Sequence, residues 1–127
     1  MSNYENKIVM FVNNSKVIAN GNASLLSDPS YLKNGRTLVP LRFVSENLGT
    51  NVRWDKKTNK ITVYTEGKTI VLTPGSTTVS VNGVATKIEA APEIKNGRTF
   101  VPLRFISEQL KAKVDYKSDD QSITVRK

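Results

Sequence analysis

Short runs of branched apolar residues alternate with turn-forming dipeptides along most of the chain. Such runs, bounded by Asn, Gly and Pro, are typical of β-strands that end in turns. Two of them stop at Asn20-Gly21 and Asn82-Gly83, and Asn-Gly readily supplies the two positive φ angles of a type I′ hairpin turn, so a return strand should follow. The strands predicted before these turns are residues 16–19 and 78–81, and the strands predicted to precede those are residues 8–12 and 69–72.

One short amphipathic helix is predicted in each half of the chain. Pro40 and Pro102 suit the first helical position, because the N–H that proline lacks would be unpaired there. Apolar residues at helical spacing then form one stripe per helix. Phe43 and Phe105 lie on the other side, so we expect both faces of each helix to be covered. The two stripes are Leu41, Val44 and Leu48, and Leu103, Ile106 and Leu110.

A pair of antiparallel strands is predicted after each helix. Period-two alternation places Trp54 beside Val52 and Tyr116 beside Val114 on one face. Core packing of both aromatic rings is therefore favoured over exposure at a strand end, where they could stack on a sugar or base. The predicted pairs are residues 52–54 with 60–64, and 114–116 with 122–126.

The chain contains the same unit twice. Residues 33–64 align with residues 95–126 at an offset of 62 positions without a gap, and 17 of these 32 pairs are identical. We predict an α+β fold of two tandem repeats, residues 1–66 and 67–127, each a small twisted antiparallel sheet packed around one short helix. The copies differ where Lys111 replaces Gly49, so the second helix should end less favourably. No flexible linker separates the repeats, and we expect them to share buried surface.

The composition removes most kinds of catalytic chemistry. The 127 residues include no His and no Cys, which excludes imidazole bases, thiolate nucleophiles, disulfides and the usual zinc, haem or iron–sulfur ligands. We expect no cofactor and no bound metal. The acidic group Asp115, Asp119 and Asp120 lacks the spacing of an EF-hand loop and is interpreted as a solvated turn. No apolar run approaches the length of a membrane span.

The net charge of +8 is spread over both repeats. Residues 1–64 carry nine basic and four acidic side chains, and residues 65–127 carry ten and seven, so no basic arm exists. Weak nucleic-acid binding is the third and least favoured interpretation. We expect a monomer.

The repeated motif resembles the N-terminal, or stalk, domain family of copper amine oxidases. The resemblance is carried by residues 34–49 with 52–55 and 60–63, and by residues 96–110 with 114–116 and 123–125. It implies a twisted antiparallel sheet around a helix. In the oxidases, histidines of a separate catalytic domain hold the copper. This chain has no histidine, so none of those catalytic roles can be carried over to its residues.

The same resemblance bears on localisation. Stalk domains of this type occur in tandem in secreted and wall-associated proteins of Gram-positive bacteria, which implies an extracellular or cell-wall location. Residues 1–7 lack the apolar core of a signal peptide, so we expect either a leader removed from this chain or, as the alternative, a cytoplasmic protein.

Two hypotheses for function follow. The first is a non-catalytic structural or adhesive module of a bacterial cell-surface or secreted protein. The second is a module that binds an anionic cell-wall polymer or glycan through its basic surface. The expected partners are a cell-wall polymer or other domains of the parent protein. Arg42 and Arg104, the arginines of the predicted helices, stand four residues before a glutamate. An intrahelical ion pair is therefore favoured over presentation of the guanidinium to a ligand. Arg36 and Arg98, which follow a predicted turn, are either ligand contacts or edge charges that discourage strand pairing. The candidate binding residues are Arg36, Arg98, Arg42 and Arg104.

Overall fold

The structure is a computed structural model that describes residues 6–127, and it is built mainly from antiparallel strands with two short helices. The α+β class predicted from the sequence is confirmed. Elements of the first half are β1 (Lys7–Phe11), β2 (Asn14–Ala19), β3 (Asn22–Leu25), β4 (Tyr31–Lys33), β5 (Arg36–Pro40), α1 (Leu41–Asn47), β6 (Asn51–Asp55) and β7 (Lys60–Thr65). Those of the second half are β8 (Lys68–Leu72), β9 (Thr78–Val81), β10 (Val84–Lys87), β11 (Glu93–Lys95), β12 (Arg98–Pro102), α2 (Leu103–Gln109), β13 (Lys113–Lys117) and β14 (Ser122–Arg126).

Strands of both repeats combine in every sheet of the described chain. Sheet 1 has the order β13-β14-β1-β2-β3, sheet 2 the order β6-β7-β8-β9-β10, and sheet 3 the order β4-β5-β12-β11. Exchanging each element for its counterpart 62 positions away converts sheet 1 into sheet 2, so the repeats are related by a pseudo-twofold arrangement. In sheet 3, the equivalent residues Val39 and Val101 pair with each other at the centre. The predicted repeat boundary after residue 66 lies inside sheet 2, in the tight turn from β7 to β8.

The two ends of the described chain meet in sheet 1. The backbone N–H of Asn6 donates to the carbonyl of Lys127 at 2.9 Å, and the N–H of Lys127 donates back at 3.0 Å. This pair is equivalent to Thr65 and Lys68, which flank the turn between β7 and β8. The β14–β1 pair therefore matches the β7–β8 pair, with Lys127 and Asn6 at the positions of Thr65 and Lys68.

Buried apolar residues from both repeats form one continuous core. The stripes of α1 and α2 lie in it as the sequence predicts, with Val44 and Ile106 completely buried. On the opposite side of the helices, Phe105 is buried and Phe43 packs against the same core. The prediction that both faces of each helix are covered is therefore confirmed.

The prolines lie one position earlier than predicted. Pro40 ends β5 and caps α1, with φ −65° and ψ 114°, so its backbone is still extended. Pro102 does the same before α2. Because each proline is the last residue of its strand, its missing N–H costs the sheet little and its fixed φ still suits entry into the helix.

The turn chemistry agrees with the sequence. Asn20 and Asn82 have φ near 51°, and the glycines after them are also positive, as a type I′ turn requires. At the ends of the helices, Gly49 has φ 80° and Lys111 has φ 56°. Lys111 therefore holds a left-handed conformation without being a glycine, which is the less favourable helix end expected for the second repeat.

Candidate functional site

Two equivalent grooves lie on the surface, each between the helix of one repeat and the sheet-3 hairpin of the other. Groove 1 encloses about 760 Å³ and groove 2 about 560 Å³, sizes that are common for binding clefts. Groove 1 is lined by Leu25, Leu26, Ser27, Asp28, Pro40, Leu41, Arg42, Phe43, Glu46, Val52, Trp54, Ile61, Ile94, Gly97, Arg98 and Thr99. Groove 2 is lined by Gly35, Arg36, Thr37, Ile88, Glu89, Pro102, Leu103, Arg104, Phe105, Ser107, Glu108, Ala112 and Val114.

The grooves bring the candidate arginines together in crossed pairs. Arg42 of the first helix shares groove 1 with Arg98 of the second repeat, and Arg104 of the second helix shares groove 2 with Arg36 of the first. The two turn arginines, Arg36 and Arg98, do not share a groove. Each groove therefore needs both repeats to place its two positive charges, which the linear sequence does not reveal.

Both turn arginines are tied to the opposite repeat by ion pairs. An Nη of Arg98 lies 3.2 Å from one carboxylate oxygen of Asp28, and the other oxygen accepts a 2.7 Å hydrogen bond from the side-chain amide of Asn96. The Nε of Arg36 lies 3.0 Å from Glu89. The side chain of Asp28 is only 14% exposed, whereas that of Glu89 is 68% exposed, so Arg98 has the firmer anchor. These contacts position the guanidinium groups at the groove rims.

The helix arginines do not form the predicted intrahelical ion pairs. Among the ion pairs of residues 6–127, none joins Arg42 to Glu46 or Arg104 to Glu108. All four side chains are exposed, and an arginine placed before its glutamate is the weaker order on a helix. That prediction is therefore wrong, and in the described part of the chain the guanidinium of Arg42 has no hydrogen-bonded acceptor.

Trp54 and Tyr116 are not core residues, so the packing predicted for them is also wrong. Trp54 is 51% exposed and Tyr116 is 50% exposed. Alternation assigned the correct face, because Val52 on that face packs against the core. Strand β6 is an outer strand of sheet 2, however, and Trp54 borders groove 1, although Ile61, its partner on β7, is buried. The indole Nε1 donates to the side-chain oxygen of Asn59 at 3.2 Å, which orients the ring at the rim of groove 1.

The grooves differ in their apolar surface. Three of the exposed large hydrophobic side chains line groove 1, namely Leu25, Trp54 and Ile94, whereas groove 2 has none in the described chain. The counterpart of Leu25 is Lys87, and the counterpart Tyr116 lies outside groove 2. Groove 1 is therefore the more apolar of two otherwise equivalent sites.

A polar cluster away from the grooves connects the repeats across sheet 3. The hydroxyl of Tyr31 donates to Glu93 at 2.6 Å, and Lys33 forms an ion pair with the same carboxylate. The pKa of Glu93 is lowered, most by its hydrogen bond from Lys33 and next by that from Tyr31. The pKa of Tyr31 is raised, most by burial and next by its hydrogen bond to Glu93. The Tyr31 ring also packs on the ring of Phe100, with 5.1 Å between centroids. These contacts hold the two repeats together.

The acidic side chains of the β13–β14 hairpin serve local structure. Asp115 pairs with Arg126 at 2.8 Å, and Asp120 accepts the N–H of Ser122 at 3.0 Å. Hydrogen bonds from Ser122 lower the pKa of Asp120. Within residues 6–127, no group of three or more acidic side chains is arranged to hold a metal ion.

The fold and its grooves define a two-repeat antiparallel module. The sequence profile of the copper amine oxidase N-terminal domain matches twice, over residues 1–63 and 18–125, and the chain belongs to this family. The resemblance inferred from the repeated motif is confirmed, and only this N-terminal domain of the oxidases is matched. Among relatives, a protein named "Protease inhibitor" from Brevibacillus choshinensis is 33% identical over 93 residues. That match covers 69% of this chain and 26% of the relative, so the chain spans about a quarter of that protein. No helix of the described residues is long and apolar enough to cross a membrane.

Proposed function

We propose that the chain is a non-catalytic adhesive module of a bacterial cell-surface or secreted protein, and that it binds surface material through grooves 1 and 2. The crossed arrangement of arginines carries this proposal. Each groove places one helix arginine and one turn arginine on either side of a cleft, and the shared core holds the two clefts in a fixed relation. Two weak sites on one rigid body gain affinity for a repeating surface by multivalency.

Lack of catalytic activity is part of the same proposal. The sequence has no histidine or cysteine, and the family match covers only the N-terminal domain of the oxidases. Purified protein supplied with copper and a panel of amines should release no hydrogen peroxide. Metal-dependent amine oxidation by this chain would contradict the proposal.

Groove binding is tested by co-sedimentation of the purified protein with bacterial cell walls. Replacing Arg42 and Arg104 by Glu should abolish most of the binding. The control replaces Lys56 and Lys117 by Glu, because both lysines are exposed and line neither groove. Each substitution lowers the net charge by 2, so both double variants fall from +8 to +4. Retention of binding by the arginine variant would refute the role of the grooves.

The alternative function is binding of an anionic wall polymer or glycan by the basic surface as a whole. The net charge of +8 and its spread over both repeats favour this alternative. It predicts that the arginine and lysine variants lose binding to isolated teichoic acid equally, and that affinity falls steeply with added salt. Nucleic acid would give the same salt dependence, so the absence of a DNA or RNA gel shift at low salt would remove that interpretation.

The name of the relative suggests one further candidate, inhibition of a protease. The matched segment is 26% of that protein, so its inhibitory function is not assigned to the part this chain shares. Titration of trypsin and subtilisin with the purified chain tests the candidate directly. Stoichiometric loss of protease activity would support it, and undiminished activity at a large excess of the chain would remove it.

A further inference from the structure

Three sheet edges meet at groove 1. The outer strands β3, β6 and β11 belong to sheets 1, 2 and 3, and each has a strand neighbour on one side only in the described chain. Each contributes a large apolar side chain to the groove, namely Leu25, Trp54 and Ile94. An outer strand presents unpaired backbone N–H and C=O groups, which can pair with an added extended segment.

Strand β3 is the least protected of these edges. All four of its residues, Asn22–Leu25, are exposed and none is charged. The N–H of Leu26 donates to Ser15 of the preceding segment, so alternation directs the backbone groups of Ala23 and Leu25 away from β2. Proteins usually protect free edges with charges, proline or bulges. At the equivalent edge of the second repeat, Lys87 takes the place of Leu25.

The apolar side chains of groove 1 are unusually exposed for a protein surface. Leu25 is 79% exposed, Trp54 is 51% exposed and Ile94 is 46% exposed. Single exposed hydrophobic residues are ordinary, but several around one cleft indicate an interaction site. Groove 2, which has the same backbone arrangement, lacks such a group.

Charge identifies the kind of segment that would fit. Arg42 lies in groove 1 without a hydrogen-bonded acceptor in the described residues, whereas Arg98 is paired with Asp28. Glu46 is the other charged side chain of the lining and forms no ion pair with Arg42 in this part of the chain, so Arg42 is the guanidinium left to bind an acidic group. A guanidinium fork binds a carboxylate through two parallel hydrogen bonds. We propose that groove 1 binds an extended acidic peptide segment of another protein, which pairs with the free edge of β3, places apolar side chains against Leu25 and Trp54, and presents a carboxylate to Arg42. This inference rests on the proposed adhesive function and names the partner of one groove.

Trp54 provides a direct readout, because it is the only tryptophan in the sequence. The probe is a blocked eight-residue peptide that alternates valine with threonine and carries two glutamates. As the peptide is added, tryptophan emission should change and then reach a plateau when groove 1 is saturated. Three matched probes complete the set: the same peptide with lysine for glutamate, the same peptide N-methylated at alternate residues, and an oligogalacturonate of similar charge.

Variants of equivalent residues in the two grooves supply the controls. Arg42→Glu should weaken binding of the acidic peptide by at least about tenfold, whereas Arg104→Glu should leave it unchanged. Leu25→Ser should also weaken binding, because it removes an apolar contact without changing the charge of groove 1. Leu25 is exposed, so the fold should be retained. The lysine peptide and the N-methylated peptide should bind at least tenfold more weakly.

Several outcomes would overturn the inference. Equal loss from Arg42→Glu and Arg104→Glu would mean that binding is not specific to groove 1. Undiminished binding of the N-methylated peptide would exclude strand pairing, and binding of oligogalacturonate alone would assign the groove to acidic sugars. The wall-binding experiment is separate, because it depends on both grooves. Peptide binding can therefore fail while the adhesive function stands.

Discussion

The residue that follows the C-cap of each helix provides the sharpest test of how the repeats differ in stability. Gly49 and Lys111 both hold left-handed conformations, with φ 80° and φ 56°. Their N–H groups make matching hydrogen bonds, from Gly49 to Glu46 at 3.1 Å and from Lys111 to Glu108 at 3.2 Å. Because the backbone contacts are equivalent, the two helix ends differ mainly in the cost of placing a side chain at positive φ.

That cost sets the expected magnitude. A left-handed conformation costs an L-residue with a Cβ roughly 1–2 kcal/mol, and the greater freedom of glycine in the unfolded chain returns about 0.5–1 kcal/mol of it. Lys111→Gly should therefore stabilise the protein by about 0.5–1 kcal/mol. Gly49→Ala should destabilise it by a similar amount, since the new Cβ would meet only the Asn6 amide, at 3.8 Å, an ordinary contact.

Urea unfolding followed by circular dichroism measures both changes. The midpoints should move in opposite directions with the slope unchanged, since neither substitution alters the surface exposed on unfolding. The expected change in Tm is roughly 2–5 °C for each variant. A destabilising Lys111→Gly, or a neutral Gly49→Ala, would refute the assignment of the difference to backbone strain.

Three further predictions follow from particular contacts. The pKa of Glu93 is lowered by Lys33 and Tyr31, so its carboxylate stabilises the folded protein. This contribution to the free energy of unfolding is complete above the unfolded pKa of about 4.3 and is lost as pH falls through the lower folded pKa. Glu93→Gln should therefore flatten the pH dependence of stability in this acid range, and an unchanged pH profile would show that the carboxylate is not coupled to folding. The hydroxyls of Ser45 and Ser107 are buried without a hydrogen-bond partner in the described chain. Replacing either serine by alanine should therefore raise the free energy of unfolding, measured in urea, by about 0.5–1 kcal/mol. A large decrease would indicate that the hydroxyl is hydrogen-bonded. A circular permutant can be made by joining Lys127 to Asn6 through a Glu-Gly turn and opening the chain between β7 and β8. It should have the same circular dichroism spectrum as the original protein. An unfolded product would show that this pairing cannot replace the natural turn.

Much of the local structure could be predicted from residue types alone. The Asn-Gly dipeptides fix their turns because asparagine and glycine tolerate positive φ at low cost. The apolar stripes and Phe105 identified two-faced helices because helical periodicity records which side chains leave water. Trp54 shows the limit of this reasoning. Alternation gives the face of a strand, but it does not show that β6 is an outer strand, where a side chain on the core-facing side can stay half exposed beside a groove.

The candidate site could be predicted only as a set of residues. Repetition drew attention to Arg42, Arg98 and their counterparts, but their grouping into two grooves follows from how the repeats interlock. The intrahelical pair with Glu46 was predicted from spacing, which fixes proximity along one helix and does not account for competition from solvent.

The sequence by itself determined the repeat, the strands and turns, the helix faces and the exclusion of histidine and cysteine chemistry, because each depends on residue types and short spacings. Only the tertiary structure decided that every sheet takes strands from both repeats and that each groove takes one arginine from each. The physical reason is that backbone hydrogen bonds between strands are nearly independent of sequence. The hydrophobic pattern fixes which face of a strand is buried, and the choice of neighbouring strand is left to the packing of the whole chain.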